Sequence, residues 1–379
     1  MTTTRVFTLT AIITVCTIGG LYLYRRAAGA NPPSHYDESK ARLEGKVPVE
    51  SYTENPVHFK SGDAELVGTL TSPTNETKAA VLLIGGSGPL DRNGKIGTLR
   101  PYALLAHHLA RCGIATLRYD KRGVGESTGD YKQATVQDFA ADAHVALQTL
   151  REHYQQTPCG VIGHSEGAID AAMLAAGGDA TNVNFLLLLA APGLDGESFC
   201  IGQASSIGKS LGLSTTDLAS LGVYLKSVYA IADSSTNGND ARRLIVECYQ
   251  RFGASLDATN RLRAFMNFSD QQADVYTSPW TKSFLKVSPQ TLLKNIHCPT
   301  LVLQGDKDVQ VPLENFNRIQ ALVKEQSATN FTLELLPSHN HLLQKCETGY
   351  LQEYARIRQG MSPDALNHIS GWIGQNARL

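Results

Sequence analysis

The 379-residue sequence has no excess of either charge: 34 Lys and Arg stand against 35 Asp and Glu, giving a net charge of -1. It therefore lacks the basic field that attracts nucleic acid and the acidic tail of a solvated interaction arm, so its partners must be sought through a site. Cysteine is scattered. Seven of them (16, 112, 159, 200, 248, 298 and 346) contain no C-x-x-C pair, and no His-rich tract accompanies them. This argues against a zinc site and against a disulfide framework. Cys159 and Cys298 stand at the entrances of predicted strands, where a small apolar side chain is expected. There is no internal repeat and no low-complexity block, so the chain is not a repeat array. The glycines form no nucleotide site either. Gly86-x-Gly88 lacks a third glycine and has Pro89 where a helix should begin, and Gly94-Lys95 lacks the upstream glycine and the following Ser/Thr of a P-loop. No metal and no organic cofactor is expected.

What is present begins with an apolar run. Val6 to Tyr24 is an uncharged stretch of 19 residues between Arg5 and Arg25-Arg26. At ~1.5 Å per residue it reaches ~28 Å, close to the ~30 Å hydrocarbon thickness, so residues 1–30 read as a membrane anchor. The rival is a cleaved secretory signal ending at Ala28-Gly29-Ala30, which the two intervening arginines fit poorly. Arg5 on one side and Arg25-Arg26 on the other leave sidedness open, and with it a membrane-anchored or a secreted or periplasmic location. Residues 31–48, with Pro32-Pro33, read as a linker.

From residue 49 onward the pattern is α/β. Val57 to Lys60 and Ala64 to Thr71 alternate around Ser61-Gly62-Asp63, predicting an antiparallel hairpin. A fully apolar strand follows at Ala79 to Ile84, and further strands at Ile114 to Tyr119, Cys159 to Ile162, Phe185 to Ala191, Thr300 to Gln304 and Phe331 to Leu336. Helices are predicted between them at Tyr102 to Ala110, Gln137 to His153, Ala168 to Ala176 and Leu313 to Glu325, and at the end over Pro363 to Gln375. This alternation predicts a mostly parallel, doubly wound sheet covered on both faces. Residues 193–289 show helical periodicity and few strand signals, so they read as a helical cap inserted into a core formed by 49–192 and 290–379. Leu221, Val223, Leu225, Val228 and Tyr229 in that region are either an acyl pocket or a packing stripe.

The chemistry centres on Gly163-His164-Ser165-Glu166-Gly167, which follows an apolar run and precedes an Ala-rich helix. That context fits a nucleophile elbow, a strand-to-helix turn so tight that glycine is needed at its flanks. Ser165 is the candidate nucleophile. An alkyl hydroxyl is a poor nucleophile at neutral pH, so it needs a base, a group to orient the base, and donors for an oxyanion. Active groups gather outside the carboxyl ends of strands in such sheets. The loop after one late strand carries Asp306 and Asp308, and the loop after the last carries His339 and His341. The order Ser, Asp, His is thus available. His164 reads as a hydrogen-bonding neighbour, and the Glu166 side chain as a carboxylate favoured at a helix start, with no catalytic role.

These residues resemble the α/β-hydrolase superfamily from about residue 49 to the end, and in particular bacterial serine esterases with a G-S-G-P-x-D-R-x-G loop, here Gly86 to Gly94. A second shared block runs from Arg118 to Ser127. The resemblance implies Asp308 over Asp306 as the acid, His341 over His339 as the base, and the backbone N–H groups of Ser87 and Glu166 as the oxyanion hole. The usual histidine of the H-G loop is replaced by Gly85, which puts the loop's supporting hydrogen bonds in question. Asp91, Arg92, Asp120 and Arg122 are expected to brace the two loops, the alternative being an anionic substrate group. The implied activity is cleavage of a small-molecule acyl ester by an acyl-enzyme route. A thioesterase, acyltransferase or serine peptidase would use the same groups, and a non-catalytic membrane-tethered binding protein is the reading from another class.

Overall fold

The computed structural model describes residues 51–378 apart from 98, 178–181, 236, 258 and 267–269. The anchor or signal expected over 1–30 and the linker over 31–48 lie outside the described residues. Among the described residues, no helix is long and apolar enough to cross a membrane.

The hairpin forms as β1 (Tyr52–Ser61) and β2 (Ala64–Pro73), joined at Gly62-Asp63 with Gly62 at φ +59°. β1 begins earlier than the alternation suggested because Tyr52 to Pro56 pair with Thr69 to Pro73. The other strands are β3 (Ala79–Ile84), β4 (Ile114–Tyr119), β5 (Cys159–His164), β6 (Phe185–Leu189), β7 (Thr300–Gly305) and β8 (Phe331–Leu336), in the sheet order β1-β2-β4-β3-β5-β6-β7-β8. β1, β2 and β4 pair antiparallel, and every pair from β4 to β8 is parallel. β3 to β7 are buried along their whole length, and β3 and β6 are accordingly unbroken apolar runs, whereas β4 carries buried Thr116 and Arg118. β6 stops two residues short of expectation because Ala190 turns into the left-handed region at φ +49°.

The helices are α1 (Pro101–Arg111), α2 (Val136–His153), α3 (Gly167–Ala176), α4 (Gly196–Ser210), α5 (Thr215–Ser234), α6 (Gly238–Ala254), α7 (Arg261–Met266), α8 (Asp270–Tyr276), α9 (Pro279–Phe284), α10 (Pro289–Leu293), α11 (Glu314–Glu325) and α12 (Pro363–Asn376). α2 starts at a capping box, with Thr135 Oγ1 accepting from Asp138 N–H and Asp138 Oδ2 accepting from Thr135 N–H. Such a cap stabilises a helix by about 1 kcal/mol. Leu147 of α2, Ala168 of α3 and Phe316 of α11 pack on one sheet face against Leu82 and Val302. Leu105 and Leu109 of α1 and Ile369 and Trp372 of α12 cover the other against Leu83 and Leu187.

The helices between β6 and β7 close a separate apolar cluster that also takes in Phe139 of α2 and Ile169 of α3. Leu221, Leu225, Val228 and Tyr229 of α5 are buried within it and form a packing stripe, which the exposed Val223 does not join. The parallel sheet brings the carboxyl ends of β3, β5, β7 and β8 to one edge, and the loops singled out in the sequence leave from there.

Candidate active site

The elbow follows from crowding. A Cβ on Gly163 would fall on the Gly167 carbonyl oxygen, and one on Gly167 would lie 2.5 Å from the carbonyl oxygen of Ile84, so both positions exclude larger residues. Between them Ser165 sits at φ +57°, its N–H donating to the Leu189 carbonyl at 2.9 Å. A side chain in that region costs on the order of 1–3 kcal/mol, and surrounding packing must hold it. Glu166 heads α3, ahead of the intrahelical donors, so its N–H is one that a helix leaves without an internal partner. Ser87 lies outside the sheet in the loop after β3, and that loop touches the elbow: a Cβ on Gly86 would be 3.1 Å from Ser165 Cβ.

Asp308 and His341 come together. His341 Nδ1 lies 2.8 Å from Asp308 Oδ2, and both residues are buried. The Asp308 carboxylate is further held by N–H groups, with Oδ1 accepting from Gln310 at 2.8 Å and from Val311 at 2.9 Å. Asp306 instead accepts the Ser338 N–H at 2.6 Å. His339 points elsewhere, to partners outside the Asp308–His341 pair. It is buried, donating from Nδ1 to the Pro337 carbonyl and bonding Ser362 Oγ through Nε2 at 2.7 Å, as a structural tie to the N-terminus of α12.

His164 joins the elbow to the base loop. Its Nε2 lies 2.9 Å from the His341 carbonyl oxygen, which can only accept, so Nε2 carries the proton and Nδ1 is left to accept from the Tyr102 hydroxyl at 3.1 Å. The His164 and His341 rings are 4.7 Å apart. Burial, and then repulsion from His341, lower the His164 pKa to about 3. An unfolded histidine titrates near ~6.5. Between these values the unfolded chain binds a proton that the folded chain refuses, so His164 makes stability fall as pH falls, by ~1.4 kcal/mol per pH unit, with the contribution restored above the unfolded pKa. Denaturant unfolding between pH 7 and pH 4 should therefore show a steeper loss in the wild type than in His164→Gln, by about that slope.

The Glu166 side chain has partners that the helix start alone does not announce. It is buried, accepting from the Trp280 indole N–H of α9 and lying 3.5 Å from Lys121 Nζ, itself buried. Lys121 also sits 4.7 Å over the Phe139 ring. One turn along α3, Asp170 is fully buried, and among the described residues neither of its oxygens has a hydrogen-bond partner. Burial, then the charge of Glu166, push its carboxyl well above the usual range against the pull of Lys121. Lys121→Met would leave the Glu166 carboxylate buried beside Ser165 without its cation. Breaking one side of such a pair costs about 3–5 kcal/mol. The urea midpoint should fall accordingly, at unchanged m-value.

One ion pair joins the two loops and another ties the second loop to α2. Arg92 forks onto Asp120 at 2.6 and 3.0 Å and also reaches Glu126, and Arg122 forks onto Asp142 at 2.6 and 2.8 Å. Burial opposes ionisation of Asp120, but Arg92 and the N–H groups of Glu126 and Arg92 outweigh it and hold its carboxyl below the usual range. Asp91 caps its own turn through the N–H groups of Asn93 and Lys95. Among the described residues, no group of three His, Cys, Asp or Glu could hold a metal ion, and the six described cysteines are free.

A family model described as serine aminopeptidase, S33, matches residues 92–347, more than half the chain and all three of Ser165, Asp308 and His341. The chain belongs to the serine aminopeptidase, S33 family. Esterase EstD of Thermotoga maritima is 30% identical over 133 residues, which is 35% of this chain and 31% of that protein, so the match spans about a third of that relative. Among solved structures, an esterase of Pyrococcus furiosus superposes with TM-score 0.51 at 14% identity, covering 86% of this chain and 93% of that one. Proline iminopeptidase of Mycobacterium smegmatis gives 0.52 at 14% identity, covering 85% and 99%. At such identities the likeness is one of fold. For this member of the serine aminopeptidase, S33 family it agrees with the α/β architecture and the eight-stranded, mostly parallel sheet.

Proposed function

We propose that this chain is a serine hydrolase that cleaves carboxylic esters by two-step acyl transfer. The observation that carries the reading is the Asp308–His341 pair, held at the carboxyl ends of β7 and β8 and tied by its backbone to the residue preceding Ser165. In the proposed reaction, Ser165 Oγ attacks the ester carbonyl while His341 takes its proton, and Asp308 fixes the Nδ1–H tautomer and stabilises the imidazolium. The N–H groups of Ser87 and Glu166 hold the oxyanion. His341 then protonates the departing alcohol, leaving an acyl-enzyme, and water attacks this by the same route to release the acid and restore the Ser165 hydroxyl. We read the helices between β6 and β7 as the cap over this site, spanning 193–289. The apolar run from Val6 to Tyr24 supports tethering at a membrane, and membrane-derived acyl esters are then reasonable substrates.

The test is hydrolysis of p-nitrophenyl esters of rising acyl length by the full chain, alongside labelling with a fluorophosphonate and mapping of the labelled residue. Ester turnover with labelling at Ser165 supports the proposal, and the length profile sizes the acyl pocket. Labelling without ester turnover would move the assignment to thioesters or peptides, and neither labelling nor turnover would sink the hydrolase reading.

A further inference from the structure

The loop that carries Ser87 begins at Gly85, a residue with no side chain to brace it. The space is filled from α1. A Cβ on Gly85 would lie 2.8 Å from Tyr102 Cε2, and one on Gly94 would lie 2.5 Å from Tyr102 Cδ2, so the two ends of the glycine loop close around one buried tyrosine ring. The Tyr102 hydroxyl uses both of its capacities. It accepts the Gly86 N–H at 2.8 Å and donates to His164 Nδ1 at 3.1 Å, and His164 Nε2–H donates to the His341 carbonyl at 2.9 Å. Each direction is forced by the next, because an amide N–H only donates and a carbonyl only accepts.

We infer that Tyr102 is a positioning residue for the oxyanion site: with His164 it forms a hydrogen-bonded strut from the loop carrying Ser87 to the backbone of His341, so that oxyanion donor and base keep a fixed spacing about Ser165. The inference rests on the serine hydrolase reading. Both ends of the strut flank reacting groups. Gly86 sits against Ser165 Cβ, and the strut ends on the backbone of the base itself. A neutral His164 is required for the chain of donors, and its lowered pKa keeps it so at working pH. Packing alone would be served by phenylalanine, so the hydroxyl is what the inference concerns.

Tyr102→Phe in the full chain tests it. Misplacing reacting groups by ~1 Å costs up to ~10²-fold in rate, so kcat should fall by about 10- to 100-fold with KM unchanged. The affinity of an aryl trifluoromethyl ketone, which adds to the serine as an oxyanion, should fall by the same factor as kcat/KM. Wild-type kcat and ketone affinity in a folded Tyr102→Phe would overturn the strut. His164→Phe breaks it at the next link and should show the same split, which keeps the test alive if Tyr102→Phe does not fold. The double variant should be no worse than the poorer single, whereas additive losses would show two independent effects and overturn the strut. A wild type with no ester turnover and no fluorophosphonate label at Ser165 would instead remove the hydrolase reading beneath it.

Discussion

Replacement of Ser165 by alanine is expected to lower ester turnover by about 10⁴- to 10⁶-fold while leaving the protein folded, the scale found when the nucleophile of a serine triad is removed elsewhere. The fold should survive because what holds position 165 is backbone. Its N–H bonds the Leu189 carbonyl, and the positive φ is imposed by the tight contacts of Gly163 and Gly167 rather than by the hydroxyl. Alanine meets no steric demand that serine does not already meet. The residual rate would come from the oxyanion donors and from substrate binding, which the substitution leaves in place. Turnover with an activated ester, circular dichroism and a fluorophosphonate label read the three consequences together. A folded variant that retains turnover within tenfold of wild type would show that Ser165 is not the attacking group.

Much of this arrangement was legible in the sequence because it depends on local rules. Parallel strands buried on both faces are mostly apolar, and β3 and β6 read that way from end to end. The elbow announces itself because the crowding at Gly163 and Gly167 admits no side chain. The choice of Asp308 and His341 came from a family pattern, and their pairing is visible only in three dimensions. What stayed hidden joins residues far apart in the chain by single polar atoms. Tyr102 and His164 are 62 positions apart, and nothing in a helix beginning Pro101-Tyr102 marks its hydroxyl as a support for the loop after β3. Lys121 and Glu166 were in view as parts of two motifs, but their burial depends on α9 delivering Trp280 to the same place. The tie made by His339 was hidden for the same reason, since its partner Ser362 belongs to the start of the final helix. A packing stripe on α5 and an acyl pocket have one sequence pattern, and it is the burial of Leu221, Leu225, Val228 and Tyr229 in one packed cluster that separates them.

Asp308→Asn should be nearly as damaging as loss of the serine, although it removes no volume. Every partner of the Asp308 carboxylate is a donor. Oδ1 receives the N–H groups of Gln310 and Val311, and Oδ2 receives His341 and, at 3.4 Å, the Gln304 side-chain amide. An asparagine has one acceptor to offer. The two backbone N–H groups are the shorter and more rigid pair, so they will claim the amide oxygen and turn the NH₂ toward His341. His341 Nδ1 must then become the acceptor, which moves the ring proton to Nε2, the nitrogen that has to take the proton of Ser165. The base is thereby blocked by its own tautomer, and ~10⁴ in kcat is the loss that this substitution causes in a serine protease. That factor corresponds to ~5.4 kcal/mol of barrier. The rate of fluorophosphonate labelling should fall by a similar factor, because labelling needs the same proton transfer. Asp306→Asn is the control, since among the described residues the Asp306 carboxylate takes the Ser338 N–H and an amide oxygen can do the same. Equal losses in the two variants would count against the Asp308–His341 pair as the working couple, and a loss confined to Asp308→Asn would locate the tautomer control there.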